Sequence, residues 1–369
     1  MPKEQKQIIL YTSFDDFLII YWCLKQAKLC SDKILCGNIL DNDLKKIKLC
    51  LDSPIVINMP NNCFEINNSS LLDQLLSLTD EYNVTSIMPT GFSSLKFMSF
   101  YKNDFKKIFI PLCDYDKIQK LDNKVSFFHF CKDNSLSHPY SIDMSQCNFI
   151  DDIKIEFPVL IKIPFASASK GNILCNNYTE LKKIAVKYDN NILVQEIING
   201  FDVAFNAYAL NGEIMAWSIQ KFIEPSSSLR WSQFIIDNNI YNIAQKLINI
   251  VSYTGPINID MRIDTVSDKI YLIEVNPRFW ANTHYSIIDG INFIDVALKL
   301  ISSSEYFVKP RGSNKIWGTP HKLLSLLTTG VIPLNMVIYY VKNQSPYQIK
   351  NWIYGKFLKY RAKLNLKVY

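Results

Sequence analysis

The sequence lacks the features that mark membrane-spanning proteins, secreted proteins and two large nucleotide-binding groups. No run reaches the roughly 18 consecutive apolar residues that a membrane helix needs. The N-terminal MPKEQKQ carries charges where a secretion signal has an apolar core. The glycine-rich signatures GxGxxG and GxxxxGKS are also absent. We therefore expect a cytoplasmic protein without a nucleotide site of those two types.

Cysteine and histidine are present without the spacings that support chemistry. The nine cysteines all lie at or before Cys175, and none forms a CxxC pair. Their odd number and spacing are typical of reduced core thiols and predict neither a disulfide framework nor a zinc site. Four scattered histidines offer no metal cluster, and no Ser–His–Asp or Cys–His arrangement predicts a protein nucleophile.

Acidic residues are almost missing from the C-terminal segment. Residues 299–369 contain 12 Lys and Arg and one acid, Glu305, whereas the preceding chain has 28 basic and 33 acidic residues. Basic and aromatic residues interleave in QIKNWIYGKFLKYRAKLNLKVY, which predicts a basic amphipathic helix. It can lie on the anionic inner face of a membrane or on a partner, or cap the preceding domain. No nucleic-acid-binding module accompanies the charge, so nucleic acid is not an expected partner.

Apolar runs alternate with helical periods in the first part of the chain and with hairpin signals in the second. Strands are predicted at 8–12, 54–59, 86–90, 107–111, 157–165 and 191–198, and helices at 14–28, 69–82, 180–188 and 240–252. The early alternation predicts a parallel α/β domain that serves as a scaffold or substrate-side wall. Later, Asn211-Gly212 joins DVAFNAYAL to EIMAWSIQKF, which is a strong hairpin signal. Two further strands, GPINIDMRID and KIYLIEVNPR, are predicted to pair through a short turn.

The segment YLIEVNPRFW puts a carboxylate, an amide and a guanidinium on alternate positions. Side chains two apart on a strand point the same way, so Glu274, Asn276 and Arg278 converge on one face. Asp260 and Arg262 have the same spacing in INIDMRID. If the two strands pair, Asp260, Glu274 and Asn276 can supply oxygen ligands for one or two Mg²⁺ ions and the phosphates they hold. The alternative is a half-exposed hairpin with cross-strand ion pairs.

Three further features can bind a nucleotide. Lys162 lies within the apolar strand VLIKI, where a lysine is costly to bury unless it meets an anion; alternatively, it is an edge-strand lysine that reaches water. The loop FASASKG offers hydroxyl and backbone N–H groups to phosphates. The strand end VQEIINGFD can read an adenine through its backbone and a ribose through a carboxylate, or it is an ordinary strand and turn.

In the order Lys124, Lys162, SASKG, VQEIINGFD, INID and IEVNPRFW, these motifs resemble the ATP-grasp superfamily. The nearest types are carbamoyl-phosphate-synthase-like enzymes and carboxylate–amine ligases. The resemblance covers roughly residues 80–295, is most specific at IEVNPR, and implies an α/β (α+β) ATP-grasp fold. We expect an N-terminal parallel α/β (pre-ATP-grasp) domain at 1–115, an ATP-grasp lid subdomain at 116–198, a catalytic and metal-binding subdomain at 199–300 and a basic helical C-terminal extension at 301–369.

The resemblance also implies roles for single residues. Lys124 and Lys162 look like the lysines that contact the nucleotide phosphates, under a phosphate-covering loop at Ser169, Lys170 and Gly171. Gln195, Glu196, Ile197 and Ile198 resemble the adenine hinge, and Asp202 stands where an acidic residue binds ribose. Asp260, Glu274 and Asn276 match metal-ligand positions, and Arg278 resembles the arginine near the transferred phosphate and acyl group. Lys162 and Arg278 are thus the expected catalytic residues.

The implied activity is ATP-dependent ligation of a carboxylate to an amine. ATP phosphorylates the carboxylate, and the amine then displaces phosphate from the acyl phosphate. The implied cofactors are ATP and one or two Mg²⁺ ions, or Mn²⁺ in their place; the substrates are small-molecule, peptide or glycan carboxylates and amines. The alternatives are a carbamoyl-phosphate-like carboxylate kinase step and a catalytically silent ATP-binding protein. Candidates for holding the acceptor carboxylate are Arg230, Trp231, Lys221 and Arg262, and His284 either faces the substrate or packs in the core.

Overall fold

The computed structural model describes residues 7–11, 33–37, 55–59, 64–84, 86–105, 108–147, 154–165, 171–222, 232–280, 282–314 and 316–317. Several predictions lie outside these residues: the helix at 14–28, the loop residues Ser169 and Lys170, Arg230, Trp231 and the basic amphipathic helix. Contact of that helix with a membrane or a partner therefore stays a prediction. So do the domain boundaries at 115, 198 and 300.

Five short parallel strands form a sheet at the N-terminal end of the chain, in the order β3-β2-β1-β4-β5. They are β1 (Gln7–Tyr11), β2 (Lys33–Gly37), β3 (Ile55–Asn58), β4 (Ser86–Pro89) and β5 (Ile108–Phe109). Four of them confirm strands predicted from apolar runs. The fifth, β2, was missed, although its run KILCG is as long as β1. The parallel pairing confirms the predicted α/β organisation of this part of the chain.

Two helices pack beside this sheet, α1 (Ser69–Glu81) and α2 (Phe92–Phe100). The Leu71 backbone N–H donates to the side chain of Asn68, which caps α1. Leu71 and Leu75, one turn apart on α1, are buried in the same cluster as strand residues, as the predicted apolar stripe requires.

The next part of the chain joins two helices to a small antiparallel sheet. Asn123 separates α3 (Tyr115–Asp122) from α4 (Lys124–Asp133), and its side chain accepts hydrogen bonds from the first backbone N–H groups of α4. The sheet has the order β6-β9-β7-β8. Its strands are β6 (Ser141–Asp143), β7 (Val159–Lys162), β8 (Asn172–Cys175) and β9 (Leu193–Glu196), and α5 (Tyr178–Lys187) packs against them.

The largest sheet is antiparallel and has the strand order β14-β13-β10-β11-β12-β15. Its strands are β10 (Gly200–Leu210), β11 (Glu213–Phe222), β12 (Ser232–Ile235), β13 (Gly255–Asp264), β14 (Ile270–Asn276) and β15 (Ile316–Trp317). Asn211 and Gly212 have φ values of 51° and 88°, which are the left-handed conformations that a tight hairpin turn requires. The predicted hairpin is thereby confirmed.

The two faces of this large sheet differ in chemistry. Val203 and Phe205 of β10 are buried against α6 (Asn238–Val251) on one face. On the other face Tyr208 packs near α7 (Phe293–Lys299), but the neighbouring positions carry polar side chains. We call this second side the polar face; it consists of Asp202, Ala204, Asn206, Ser218, Gln220, Asn258, Asp260, Arg262, Glu274 and Asn276.

Two predictions from composition can be compared with the described residues. Four of their cysteines, Cys113, Cys131, Cys147 and Cys175, are free thiols, which agrees with reduced core thiols. None of their helices has the length and apolar character needed to cross a bilayer.

Candidate functional site

The polar face brings the three expected metal ligands together. β13 and β14 pair with Asp260 opposite Glu274 and Asn258 opposite Asn276. Opposite residues of an antiparallel pair project from the same face, so two carboxylates and an amide converge. The register of the pair shifts directly after Asp260, so Asn258 and Asp260 pair with β14 in a different register from residues 261–263. The roles of these residues as ligands stay a prediction.

Two lysines from the preceding part of the chain face these carboxylates. Lys124, the first residue of α4, is 8 % exposed, and its Nζ lies 3.5 Å from Glu274 Oε2. Lys162, the last residue of β7, is 2 % exposed. Because β7 lies between β8 and β9, the alternative of an edge-strand lysine that reaches water is wrong. The Lys124 backbone N–H donates to the Pro164 carbonyl at 3.1 Å, which ties α4 to the end of β7.

The charged groups of the site shift each other's pKa values. Burial lowers the pKa of Lys162 from 10.5 to about 8, although the negative charges of Glu274, Asp260 and Asp202 oppose the shift. Burial by itself would raise the pKa of Glu274, but the positive charges of Lys124 and Lys162 outweigh it and hold that pKa below its usual value. A buried ammonium of this kind is stabilised by a further anion, such as a nucleotide phosphate.

The donor set fits a hard divalent cation. Asp260 and Glu274 offer carboxylate oxygens, and the Asn276 amide nitrogen donates to Asn258 Oδ1 at 2.8 Å, so its carbonyl oxygen can serve a cation. In the described part of the chain, no group of three or more His, Cys, Asp or Glu residues could hold a metal ion. Mg²⁺ commonly takes one or two protein carboxylates and completes its shell with water and phosphate oxygens. The site therefore fits an ion that binds together with a nucleotide.

In the segment expected to read adenine, two side chains already form hydrogen bonds within the protein. The Gln195 amide is buried and donates to Ser141 Oγ at 3.1 Å. Glu196 Oε1 accepts a hydrogen bond from the Tyr140 backbone N–H at 2.6 Å. Both contacts hold β9 to the chain around β6. Both side chains are engaged within the fold, and the reading of adenine by the backbone of this segment stays a prediction.

Arg262 holds the end of that segment. Its Nε donates to the Ile198 carbonyl at 2.7 Å, and its Nη1 pairs with the Asp202 carboxylate. Ile197 is 46 % exposed, whereas Ile198 is buried. Arg262 was a candidate for the acceptor carboxylate, but its contacts place it beside the expected adenine and ribose positions.

Gly171 is the one residue of the expected phosphate-covering loop within the described chain. Its carbonyl accepts a hydrogen bond from the Ile163 backbone N–H at 3.0 Å. The C-terminal base of the loop is therefore held next to Lys162.

Arg278 borders the site on the side of the N-terminal domain. Its Cζ lies 5.1 Å from the ring centroid of Phe92, the first residue of α2. Lys96 Nζ lies 4.3 Å from the same centroid and also pairs with Asp122 at 3.3 Å. The N-terminal part of the chain thus supplies a wall beside Arg278. That this wall faces the substrate stays a prediction.

Sequence reasoning missed two asparagines of the polar face, Asn206 and Asn258. Asn258 precedes Asp260 by two residues, and that spacing alone could have placed it on the same face. Asn206 reaches this face only through the pairing of β10 with β13. His284 is buried with its ring centroid 3.8 Å from that of Tyr285, which supports the packed alternative.

Two family models match the region that holds these residues. A RimK-like ATP-grasp domain matches residues 136–206, and the model for ATP-grasp in the biosynthetic pathway with Ter operon matches 189–316. Together they span Lys162, residues 195–198 and the polar face. Both models describe ATP-grasp domains, which confirms the predicted resemblance to the ATP-grasp superfamily.

Proteins similar to this chain include several enzymes. The chain is 24 % identical to the D-aspartate ligase of Enterococcus faecium in an alignment 321 residues long, which covers 73 % of this chain and 74 % of that one. The biotin carboxylase domain of Hydrogenobacter thermophilus 2-oxoglutarate carboxylase, solved with MgADP and bicarbonate, has a TM-score of 0.64 and 14 % identity over 84 % of this chain and 72 % of that one. The L-amino acid ligase of Bacillus licheniformis has a TM-score of 0.61 and 16 % identity over 85 % of this chain and 78 % of that one. These similarities confirm the expected ATP-grasp fold.

Proposed function

We propose that the chain is an ATP-dependent carboxylate–amine ligase that acts through an acyl phosphate and uses an amino acid as one substrate. The observation that carries the proposal is the meeting of two buried lysines with Asp260, Glu274 and Asn276 on one face. Similarity to D-aspartate ligase and to an L-amino acid ligase supports the amino-acid class. Peptide and glycan acids of the same chemistry are included in the class to be tested.

The site residues have to bring two anions together, the substrate carboxylate and the γ-phosphate of ATP. Lys124 and Lys162 contact the phosphates, and their buried charges act at low local dielectric. Asp260, Glu274 and Asn276 would hold one or two Mg²⁺ ions, or Mn²⁺, which neutralise phosphate charge when bound. Arg278 binds the oxygen atoms of the transferred phosphate and acyl group.

In this proposal the nucleotide lies between the four-stranded sheet β6-β9-β7-β8 and the polar face. The backbone of residues 195–198 reads adenine, and Asp202, oriented by Arg262, accepts hydrogen bonds from ribose hydroxyls. Ser169, Lys170 and Gly171 cover the phosphates. In this arrangement β9 and β10 receive the nucleoside while Lys124 and Lys162 receive its phosphates.

The chemistry needs no protein nucleophile. A carboxylate oxygen of the substrate attacks the γ-phosphorus of ATP, and the bond to the β-phosphate oxygen breaks to release ADP. The amine nitrogen then attacks the acyl carbon, phosphate leaves with the electron pair of its C–O bond, and the nitrogen loses a proton to water. Charge neutralisation and orientation are therefore the main tasks of the protein.

The test is ADP release from ATP and Mg²⁺ with panels of D- and L-amino acids as carboxylate and amine. We expect release that needs both substrates, and hydroxamate formation when hydroxylamine replaces the amine. Glu274→Gln is expected to lower the rate at least about 100-fold, because a carboxylate ligand is lost. Glu213→Gln, an exposed residue of β11, is the matched control and is expected to keep the rate.

The outcomes separate the proposal from its rivals. ADP release with the carboxylate alone, together with a stable acyl phosphate that no amine consumes, would favour the kinase step. Nucleotide binding without ADP release from any substrate pair would favour a silent ATP-binding protein.

A further inference from the structure

Three asparagines form a hydrogen-bonded row across three strands of the polar face, which we call the asparagine ladder: Asn206, Asn258 and Asn276. Asn258 lies opposite Asn206 on β10 and opposite Asn276 on β14. Asn276 Nδ2 donates to Asn258 Oδ1 at 2.8 Å, and Asn258 Nδ2 donates to Asn206 Oδ1 at 3.0 Å. The amides of Asn276 and Asn258 therefore both point their nitrogen toward β10.

Asp260 gives the ladder its direction. Asn258 Nδ2 and Asn276 Nδ2 each lie 3.5 Å from an oxygen of the Asp260 carboxylate. A carboxylate attracts amide N–H groups and repels amide carbonyl oxygens, so reversing either amide would bring like partial charges together. With this direction, the carbonyl oxygen of Asn276 points away from the ladder and can face a cation.

The asparagine ladder is unfavourable for the stability of the fold. Asn258 is 7 % exposed and Asn206 is fully buried, and the Nδ2 of Asn206 has no hydrogen-bond partner among the described residues. Burying amide groups in this way is unfavourable compared with apolar side chains of similar size. The opposite face of the same strands is apolar and needs no such row. The ladder therefore has a purpose other than stability.

We propose that Asn258 is a positioning residue that fixes the amide of Asn276 with its carbonyl oxygen toward the metal ion. The inference rests on the metal site of the proposed function. Without Asn258, the amide of Asn276 can rotate and present its N–H group, which repels a cation. Residues that orient metal ligands in this way typically contribute 10- to 100-fold to metal affinity.

The experiment measures Mn²⁺ binding to the protein–ADP complex by electron paramagnetic resonance, so it does not depend on turnover. Asn258→Leu is expected to weaken Mn²⁺ binding about 10- to 100-fold, while ADP affinity without metal is unchanged. Ser218→Ala is the matched control, since Ser218 lies in the same row but bonds to Ser286 instead of the ladder. It is expected to bind Mn²⁺ like the wild type.

A double-mutant cycle separates positioning from general damage. Asp at position 276 presents an oxygen in either orientation, so in the Asn276→Asp background Asn258→Leu is expected to change Mn²⁺ affinity less than about 3-fold. Equal losses in both backgrounds would overturn the proposal, and so would wild-type affinity for Asn258→Leu. If Asn258→Leu fails to fold, the smaller and polar Asn258→Ser runs the same cycle.

The same assay distinguishes the two proposals. If Glu274→Ala and Asn276→Ala leave Mn²⁺ binding unchanged, the metal site of the proposed function is wrong. If they abolish it while the cycle at Asn258 shows no coupling, only the positioning role fails.

Discussion

Replacing Lys162 by Met tests whether the site keeps an unfavourable buried charge for its ligand. Burial lowers the pKa of Lys162 from 10.5 to about 8 in the folded protein. Such a shift corresponds to about 3 kcal/mol taken from the free energy of unfolding at pH 7. Met is similar in length and uncharged, so Lys162→Met is expected to be about 3 kcal/mol more stable than the wild type at pH 7 and to lose ATP affinity.

The pH dependence follows from the direction of the shift. Below pH 8 Lys162 holds its proton in the folded and unfolded states, and the folded state bears the whole cost. Between pH 8 and 10.5 the unfolded state binds more protons, so the stability of the wild type rises relative to the variant. The advantage of Met is expected to shrink to about 1 kcal/mol at pH 10.

Urea unfolding of both proteins from pH 7 to pH 10 measures this difference, because titrating groups shared by the two chains cancel. Calorimetry at pH 7 measures ATP binding. Lys246→Met, at an exposed lysine of α6, controls for loss of a positive charge as such. A stability difference that does not vary with pH, or a Lys162→Met protein less stable than the wild type, would refute the reasoning.

Two further substitutions probe the frame of the site. A Cβ on Gly200 would lie 1.9 Å from the Ile263 carbonyl oxygen, so Gly200→Ala is expected to disturb the pairing of β10 with β13. We expect the free energy of unfolding to fall by about 3 kcal/mol, and an unchanged urea midpoint would contradict the close approach. Arg262→Lys keeps the charge but cannot make both contacts of the guanidinium with Ile198 and Asp202. We expect ATP binding about 10-fold weaker by calorimetry with an unchanged melting temperature; wild-type affinity would contradict the role of Arg262 at the hinge.

Local pattern predicted most of the elements that build the site. Apolar runs with flanking turn residues identified β7, β9, β13 and β14, and Asn211-Gly212 identified the hairpin of β10 and β11, because turn geometry depends on neighbouring residues alone. The strand β2 was missed, although it is as long as β1.

Site residues whose position depends on non-local pairing were harder to predict. Arg262 has the same spacing from Asp260 as Asn276 has from Glu274, yet it turns to Asp202 and Ile198, which belong to another strand and a loop. Asn206 stands in an apolar run, DVAFNAYAL, and only its pairing with Asn258 reveals the ladder. Nothing in either local segment marks these partners.

The sequence by itself determined which side chains can converge. Alternation along a strand is a property of the local backbone, so Glu274 and Asn276 share a side wherever the strand lies. Arg278 lies beyond the end of β14, where alternation no longer applies. Only the tertiary structure decided what they converge with. Burial of apolar residues on the opposite face selects the register of β13 and β14, and the same register sets Asp260 against Glu274. The packing of α4 and β7 then places Lys124 and Lys162 beside these carboxylates, because partners so far apart in the sequence meet only through tertiary contacts.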